Sequence, residues 1–177
     1  MAGVAQRPGQ PDEGVDVPDE RCGDHENTHQ HTLGGYVTAM TVPILRAFVL
    51  DTTDARRLAE FYRQLLDLEY REGDEPPPAG SDDPRGRSWL QLRARDGAFR
   101  LSFQQTSGVR PTSWPGDEVP QQAHLDTSVD SVEELDRQHD RILALGGTLR
   151  FDRSDDPEEP LRAYADPDGH IVCVFVG

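Results

Sequence analysis

The sequence predicts an α+β fold in which two β-α-β-β-β modules follow a disordered acidic N-terminal tail. Residues 1–40 hold almost no aliphatic side chains at helical or strand spacing, and such a segment cannot bury enough apolar surface to fold. The rest of the chain contains the same order of elements twice, namely a strand, an amphipathic helix and three further strands. Asp54 and Asp130 lie in matching places before the two helices. At 177 residues the chain can bury a real core. We expect a tail at 1–40 and a folded domain at 41–177, divided into module one (43–106), a linker (107–120) and module two (121–177).

In module one, a β-like run at 44–50 precedes Asp54, whose carboxylate is typical of a helix N-cap. Apolar residues then recur at helical spacing between Leu58 and Leu66, which predicts an amphipathic helix of about three turns. A short strand is expected at 68–71, and the Pro-rich and Asp-rich stretch 73–86 is expected to be a loop. Two strands, 89–94 and 98–104, flank Asp96-Gly97, a strong hairpin signal.

Module two follows a linker rich in Pro, Gly and Ser. After a strand at 123–129, Ser131 and Glu134 form a capping box that predicts a second amphipathic helix, which ends at Gly146. Strands at 148–151, 161–165 and 170–176 complete the module, and the Asp-Pro-Asp-Gly sequence at 166–169 predicts a turn between the last two. Neither module is expected to be stable alone, because each sheet needs its second face covered.

Composition excludes several classes of function. The chain carries 33 acidic and 18 basic residues and a formal net charge of -15, so we expect no nucleic-acid partner. Every basic residue is arginine, which excludes Schiff-base catalysis by lysine. The sequence has no apolar run near the ~20 residues that span a bilayer and no signal-peptide core at the N-terminus. We therefore expect no membrane partner. The two cysteines, Cys22 and Cys173, lie in segments of very different character, which predicts no disulfide scaffold and a cytoplasmic location.

One group of metal-ligand residue types lies in the tail. Cys22, His25, His29 and His31 have spacings that a zinc ion could use. The simpler interpretation is an unstructured polar tail, because nothing nearby in the sequence would hold four ligands in a tetrahedron.

Three segments of the chain resemble the vicinal oxygen chelate superfamily, which includes glyoxalase I, bleomycin-resistance proteins and extradiol dioxygenases. They are the helix sequence at 54–62, the Ala-His-Leu-Asp sequence at 123–126 and the Ala-Asp-Pro-Asp-Gly-His sequence at 165–170. The order of Phe103-Gln104 before the His-Leu-Asp strand is most similar to a glyoxalase-like branch of the superfamily. The resemblance covers residues 43–177 and implies the two-module fold, a small-molecule ligand and a homodimer.

The resemblance also implies where a metal would be bound in such a family member. Its ligand positions, which carry His, Gln or Glu, fall in this chain on Ala47 or Phe48, on Arg100, on His124 and on Cys173. Ala47 and Phe48 cannot bind a cation and the fixed charge of Arg100 repels one, so we expect no metal and no cofactor.

Strand alternation identifies the candidate site residues. His124 and Asp126 share one face of their strand, and a carboxylate beside an imidazole can fix its tautomer and raise its basicity, as in a general-base pair. The alternative is that the two only hydrogen-bond or bind ligand. Five further residues are expected to bind substrate in the cleft between the modules: Arg100, Ser102, Gln104, Trp114 and Cys173.

Three functions therefore stay open at this point. The first is a glyoxalase-like protein that binds a small organic molecule in a polar cleft and acts as a metal-independent lyase or isomerase. The second is a non-catalytic, drug-binding protein of the bleomycin-resistance kind, for which the acidic surface favours a cationic drug. The third is a metal-dependent glyoxalase or dioxygenase. Whether the protein is an enzyme is left open.

Overall fold

The computed structural model describes residues 28–33 and 36–177. An antiparallel hairpin, β1 (Thr28–Leu33) and β2 (Tyr36–Thr41), lies within the stretch that we predicted to be disordered. The Gly34-Gly35 dipeptide between these strands is typical of two-residue hairpin turns, a signal that the sparse aliphatic content obscured. Cys22 and His25 lie outside the described residues. The chain divides at Ile44, and the unit that follows contains both modules.

Module one consists of β3 (Phe48–Thr52), α1 (Ala55–Leu65), β4 (Glu69–Tyr70), β5 (Trp89–Arg93) and β6 (Arg100–Gln105). Its strands form one sheet in the order β3-β6-β5-β4, in which only the β3–β6 pair is parallel. The strand predicted at 44–50 begins four residues later, at Phe48. The β3–β6 pairing places the first strand of the module beside its last strand.

Local sequence explains α1 and its packing. Asp54 caps the helix, since its side chain accepts a hydrogen bond from the backbone N–H of Arg57 at 3.0 Å. The apolar stripe of the helix, which includes Leu58 and Tyr62, is buried against Leu101 and Phe103 of β6. The loop predicted at 73–86 is correct except at its end, where a short 3-10 helix covers Arg85–Arg87.

Module two repeats this topology. It consists of β7 (His124–Val129), α2 (Val132–Ala144), β8 (Thr148–Arg153), β9 (Leu161–Ala165) and β10 (Ile171–Val176), and its sheet has the order β7-β10-β9-β8. The hydroxyl of Ser131 caps α2 by accepting from the backbone N–H of Glu134 at 3.2 Å, as the capping box predicts. The identical strand order confirms the internal duplication.

The two modules share one hydrophobic core. Leu135, Ile142 and Tyr164 of module two belong to the same buried cluster as the apolar face of α1. Burying such residues contributes roughly 1.5–3 kcal/mol per side chain. Among the described helices, none has the length and apolar character that a membrane span requires.

Candidate functional site

The candidate site lies on the sheet face of module two that is turned away from α2, which we call the module-two open face. Val172 and Val174 of β10 join the core with α2, whereas Ile171 and Cys173 project to the opposite face. Because Asp126 of β7 is directly opposite Cys173 in the parallel register, the alternation also places His124 and Asp126 on this open face. Their location follows from the strand pattern that the sequence predicts.

Asp126 is the carboxylate that lies against both His124 and Cys173. The Nε2 atom of His124 lies 3.3 Å from Oδ1 of Asp126, and the thiol of Cys173 also hydrogen-bonds to this carboxylate. Burial, followed by the charge and hydrogen bond of Asp126, raises the pKa of Cys173 to about 11. The thiol is therefore protonated at neutral pH and is a poor nucleophile.

Gln121 is a site residue that sequence reasoning missed. Its amide Nε2 lies 2.7 Å from Nδ1 of His124, so Nδ1 accepts that hydrogen bond and Nε2 carries the imidazole proton toward Asp126. The Oε1 atom of the same amide is buried and has no partner among the described residues. Rotation of the amide would let Oε1 accept from a protonated His124, so Gln121 can serve both charge states of the ring. No motif marks this glutamine, because its role depends on where the linker ends in space.

Trp114 covers the floor of the module-two open face. Ala163, Ala165, Ile171 and Cys173 form a buried cluster of mostly small side chains against which Trp114 packs. The indole also makes an edge-to-face contact with Phe151 of β8, with ring centroids 5.9 Å apart. The predicted linker residue thus lies on the same face as Cys173, and the pair of aromatic rings forms one wall of the site.

The linker is held in this place by backbone contacts. Arg150 donates to the carbonyl of Trp114 at 3.0 Å, and the backbone N–H of Trp114 donates to the Thr112 hydroxyl at 3.1 Å. Gly169 has a φ of +97°, and a Cβ there would lie 2.4 Å from Pro111, so only glycine lets the linker pass this turn closely.

The three module-one residues predicted to bind substrate lie on the sheet face opposite α1, which we call the module-one open face. Arg100 is exposed, whereas Ser102 is fully buried and its hydroxyl accepts from Gln91 at 3.2 Å. Gln104 is half-buried. Among the described residues, no hydrogen bond or ion pair joins Arg100, Ser102 or Gln104 to the His124 group. The structure therefore brings together His124, Asp126, Cys173 and Trp114, and leaves the module-one residues as a separate set.

The turn at 166–169 connects the modules, and it holds buried charges that the sequence analysis did not assign to a site. Asp166 accepts hydrogen bonds from the backbone N–H groups of residues 168–170, from the Tyr62 hydroxyl at 2.9 Å and from His170 Nδ1 at 2.8 Å. Asp168 accepts from Thr52, Thr53 and Arg57 of module one. Burial and the charge of Asp166 hold the pKa of Tyr62 well above its usual range. The Asp-Pro-Asp-Gly-His sequence therefore forms a turn and also links the two modules through buried hydrogen bonds.

Part of the chain could hold a metal ion. The ligand atoms of His124, Asp126 and Cys173 lie within 4.8 Å of one another, and nitrogen, oxygen and sulfur are all zinc ligands. Ala47, Phe48 and Arg100 add no donor from module one. The residues therefore fit a three-donor site for a soft divalent ion, and they do not fit the four-donor set of His, Gln and Glu that the resemblance implies.

A cavity of about 570 Å³ lies elsewhere, between α1 and the β4–β5 edge of module one. It includes none of the predicted site residues. Its lining combines the apolar Leu68, Tyr70 and Pro76 with six charged side chains, which are Glu60, Arg63, Glu69, Glu75, Arg93 and Arg95.

Comparisons with known proteins agree with this architecture. A family model described as Glyoxalase-like domain matches residues 47–175. A glyoxalase/bleomycin resistance protein/dioxygenase family enzyme from Burkholderia phytofirmans has a similar fold, with a TM-score of 0.53, 15% identity, and coverage of 73% of this chain and 95% of that chain. Fosfomycin resistance protein FosX from Mesorhizobium loti gives a TM-score of 0.53 at 15% identity over 77% and 94% of the two chains. FosX from Listeria monocytogenes gives 0.54 at 16% identity over 77% and 95%.

No curated protein matches the sequence. At these identities the solved structures show the fold alone, whereas the family model covers most of the chain. The chain belongs to the Glyoxalase-like domain family, with the two-module fold of the vicinal oxygen chelate superfamily.

Proposed function

We propose that the protein binds a small organic molecule on the module-two open face and transfers a proton to or from it without a metal, as a lyase or isomerase does. The observation that carries this proposal is the pairing of His124 with Asp126 at 3.3 Å, beside the floor covered by Trp114. Asp126 keeps the proton on Nε2, which leaves Nδ1 as the basic nitrogen. A substrate would displace the Gln121 amide to reach Nδ1.

In this proposal the other site residues bind rather than react. Trp114 and Phe151 supply an aromatic wall, and the Cys173 thiol donates a hydrogen bond to Asp126. We also propose that Arg100 and Gln104 bind substrate oxygens from the module-one open face, which no described hydrogen bond or ion pair joins to the His124 group. Because Ser102 is fully buried and bonded to Gln91, its support is indirect, through the position of the neighbouring strand. We also propose a homodimer, which the open strand edges support, and a cytoplasmic location, which the cysteine content supports.

Solvent deuterium incorporation tests proton transfer directly. Metal-depleted protein is incubated in D2O with small carbonyl compounds that carry an acidic C–H bond, and exchange is followed by proton NMR. We expect His124→Ala to reduce exchange by a factor on the order of 10² to 10⁴, because it removes the proton acceptor. Asp126→Asn should cost less, because it keeps the shape and loses only the orienting charge.

Ser128→Ala is the matched control, since this exposed residue follows Asp126 on the same face of β7. Exchange in that variant should equal that of the parent. A His124→Ala protein that exchanges substrate as fast as the parent would contradict the proposal.

A non-catalytic binding function is favoured by a different observation. Both ring nitrogens of His124 already have partners, in Gln121 and Asp126, so the imidazole has no free position unless the glutamine moves. If the protein only binds its ligand, no compound will exchange hydrogen for deuterium. His124→Ala will then weaken the free energy of binding by the ~1–3 kcal/mol of a lost hydrogen bond.

A metal-dependent reaction is favoured by the donor set of His124, Asp126 and Cys173. A zinc ion held there would supply Lewis acidity to a bound oxygen. We expect instead that protein lacking the His-containing tail carries no stoichiometric divalent ion, because module one adds no ligand. One equivalent of zinc, nickel or iron by elemental analysis, lost in His124→Ala, would establish the metal-dependent function.

A further inference from the structure

Two arginines lie directly opposite each other on the module-one open face. In the antiparallel β5–β6 pair, Arg93 is in register with Arg100, and both side chains are exposed. Opposed residues of such a pair share a face, with Cβ atoms about 4.5–5.5 Å apart, and like charges in this position are destabilising. The repulsion between the two guanidinium groups therefore destabilises the free protein, and a bound anion would remove this destabilisation.

The neighbouring acids do not neutralise this pair. Glu69 is 3.6 Å from Arg93 but closer to Arg95, at 2.6 Å, and Asp67 is also bound to Arg95. The side chain of Arg100 has no hydrogen-bond or ion-pair partner among the residues that the structure describes. Three guanidinium groups thus meet two carboxylates in this small area of a chain whose net charge is -15.

Arg93 also lines the cavity at the β4–β5 edge, whose apolar surface comes from Leu68, Tyr70 and Pro76. The same lining contains the Glu60–Arg63 ion pair at 2.9 Å. Arg93 is therefore accessible from the edge of the sheet as well as from the module-one open face that carries Arg100.

From this geometry we propose that Arg93 and Arg100 form an anion subsite, and that the ligand of this protein is an organic anion carrying a carboxylate or a similar oxyanion. Two planar guanidinium groups can each donate two hydrogen bonds to such a group, which a cation or a neutral ligand cannot accept in the same way. The inference rests on the proposed function in taking Arg100 as part of the ligand site. It adds Arg93 and the sign of the ligand's charge.

Binding of simple probes tests the subsite without any turnover. Inorganic phosphate, benzoate and the cation benzylammonium are titrated by calorimetry, and the arginine Nε–H signals are followed by NMR. We expect the two anions to bind, benzylammonium not to bind, and Arg100→Gln or Arg93→Gln to weaken benzoate binding by about tenfold or more. Without anion, Arg100→Gln should unfold at the same temperature as the parent or higher, because the repulsion is relieved.

Arg87→Gln is the charge-matched control, since the Arg87 side chain is 62% exposed and paired with Asp82, and Arg87 lies in the short 3-10 helix before β5. The subsite is wrong if benzoate binds Arg100→Gln as tightly as the parent, if Arg87→Gln weakens binding equally, or if only the cation binds. If benzoate binding does not depend on either arginine while His124→Ala abolishes deuterium exchange, the subsite is contradicted and the proposed function is supported. If binding needs both arginines and no compound exchanges, the subsite stands and the proposed function fails.

Discussion

The Asp126 carboxylate lies beside both a histidine ring and a cysteine thiol, and it acts on each of them in a different way. The carboxylate orients the His124 ring and at the same time keeps the proton on Cys173, whose side chain is 8% exposed. The negative charge of Asp126 therefore favours a protonated, unreactive thiol. A cysteine at this position in the strand is consistent with a packing and hydrogen-bonding role.

Alkylation of Cys173 tests this interpretation. In a Cys22→Ala background, which leaves Cys173 as the only cysteine, we expect slow reaction with iodoacetamide at pH 7 and a rate that rises toward pH 11. Asp126→Asn removes the charge that raises the thiol pKa, so it should shift the rate profile to lower pH. The rate is measured by mass spectrometry, with Ser128→Ala as the control. Fast alkylation of the parent at pH 7 would contradict the role assigned to Asp126.

At the scale of elements, the turn between β9 and β10 joins the modules through charge. Burial lowers the pKa of His170, while the hydrogen bond and charge of Asp166 and the charges of Asp168 and Asp51 raise it, and the net effect is a raised pKa. His170 is therefore more easily protonated in the folded chain than in the unfolded chain. Its contribution to stability is present in full below the ordinary histidine value of about 6.5 and is lost as the pH rises through the folded value.

Denaturant unfolding at several pH values measures this contribution. We expect the parent to lose stability as the pH rises through the folded pKa of His170, and His170→Gln to flatten that part of the profile. His139→Gln is the matched control, because His139 contacts the Tyr164 hydroxyl at 3.1 Å instead of a carboxylate. An unchanged slope in His170→Gln would show that the Asp166 contact does not couple protonation to folding.

The helices and most strands could be predicted from the sequence because their signals are local. Asp54 and Ser131 cap the helices, and the apolar spacing from Leu58 onward fixes the buried face of α1. The hairpin of β1 and β2 was missed because its strands are rich in Thr, His and Gln. The late start of β3 follows from pairing with β6, which sequence periodicity does not report.

The candidate site was only partly predictable, for a related reason. Alternation along β7 places His124 and Asp126 correctly, because strand geometry is regular. Burial of Ser102 depends on its cross-strand partner Gln91, and the contact of Gln121 with His124 depends on the path of the linker. Contacts of this kind are made by tertiary packing and leave no motif.

At the scale of the whole molecule, the two modules have the same strand order and different open faces. Module two presents an imidazole, a carboxylate and a thiol, whereas module one presents two opposed arginines. The duplicated scaffold thus carries an imidazole group and a pair of guanidinium groups on separate sheets.

In the described chain, β3 pairs only with β6 and β7 only with β10, so each sheet has an open edge next to its functional residues.

The open edge of β3 is apolar on both sides. Phe48 is 53% exposed and Val49 is 47% exposed, and neighbouring strand residues point to opposite faces, so no single flat contact would cover both. Leu45, just before the strand, is 73% exposed. Unpaired backbone groups flanked by large apolar side chains are a template for strand pairing, and a second copy of this chain satisfies that requirement in a closed twofold assembly. We expect a homodimer that uses this edge.

Light scattering at micromolar concentration should therefore give about twice the chain mass of 19.7 kDa. Replacing Phe48 and Val49 by glutamate places charges on both sides of the edge, which should shift the equilibrium to the monomer, because the charges lose hydration in the paired state. Leu143→Glu is the control, since Leu143 is an exposed apolar residue of α2, 42% accessible, away from the strand edge. A parent mass near 20 kDa would contradict the dimer, and a dimer that survives the double glutamate variant would place the interface elsewhere than β3.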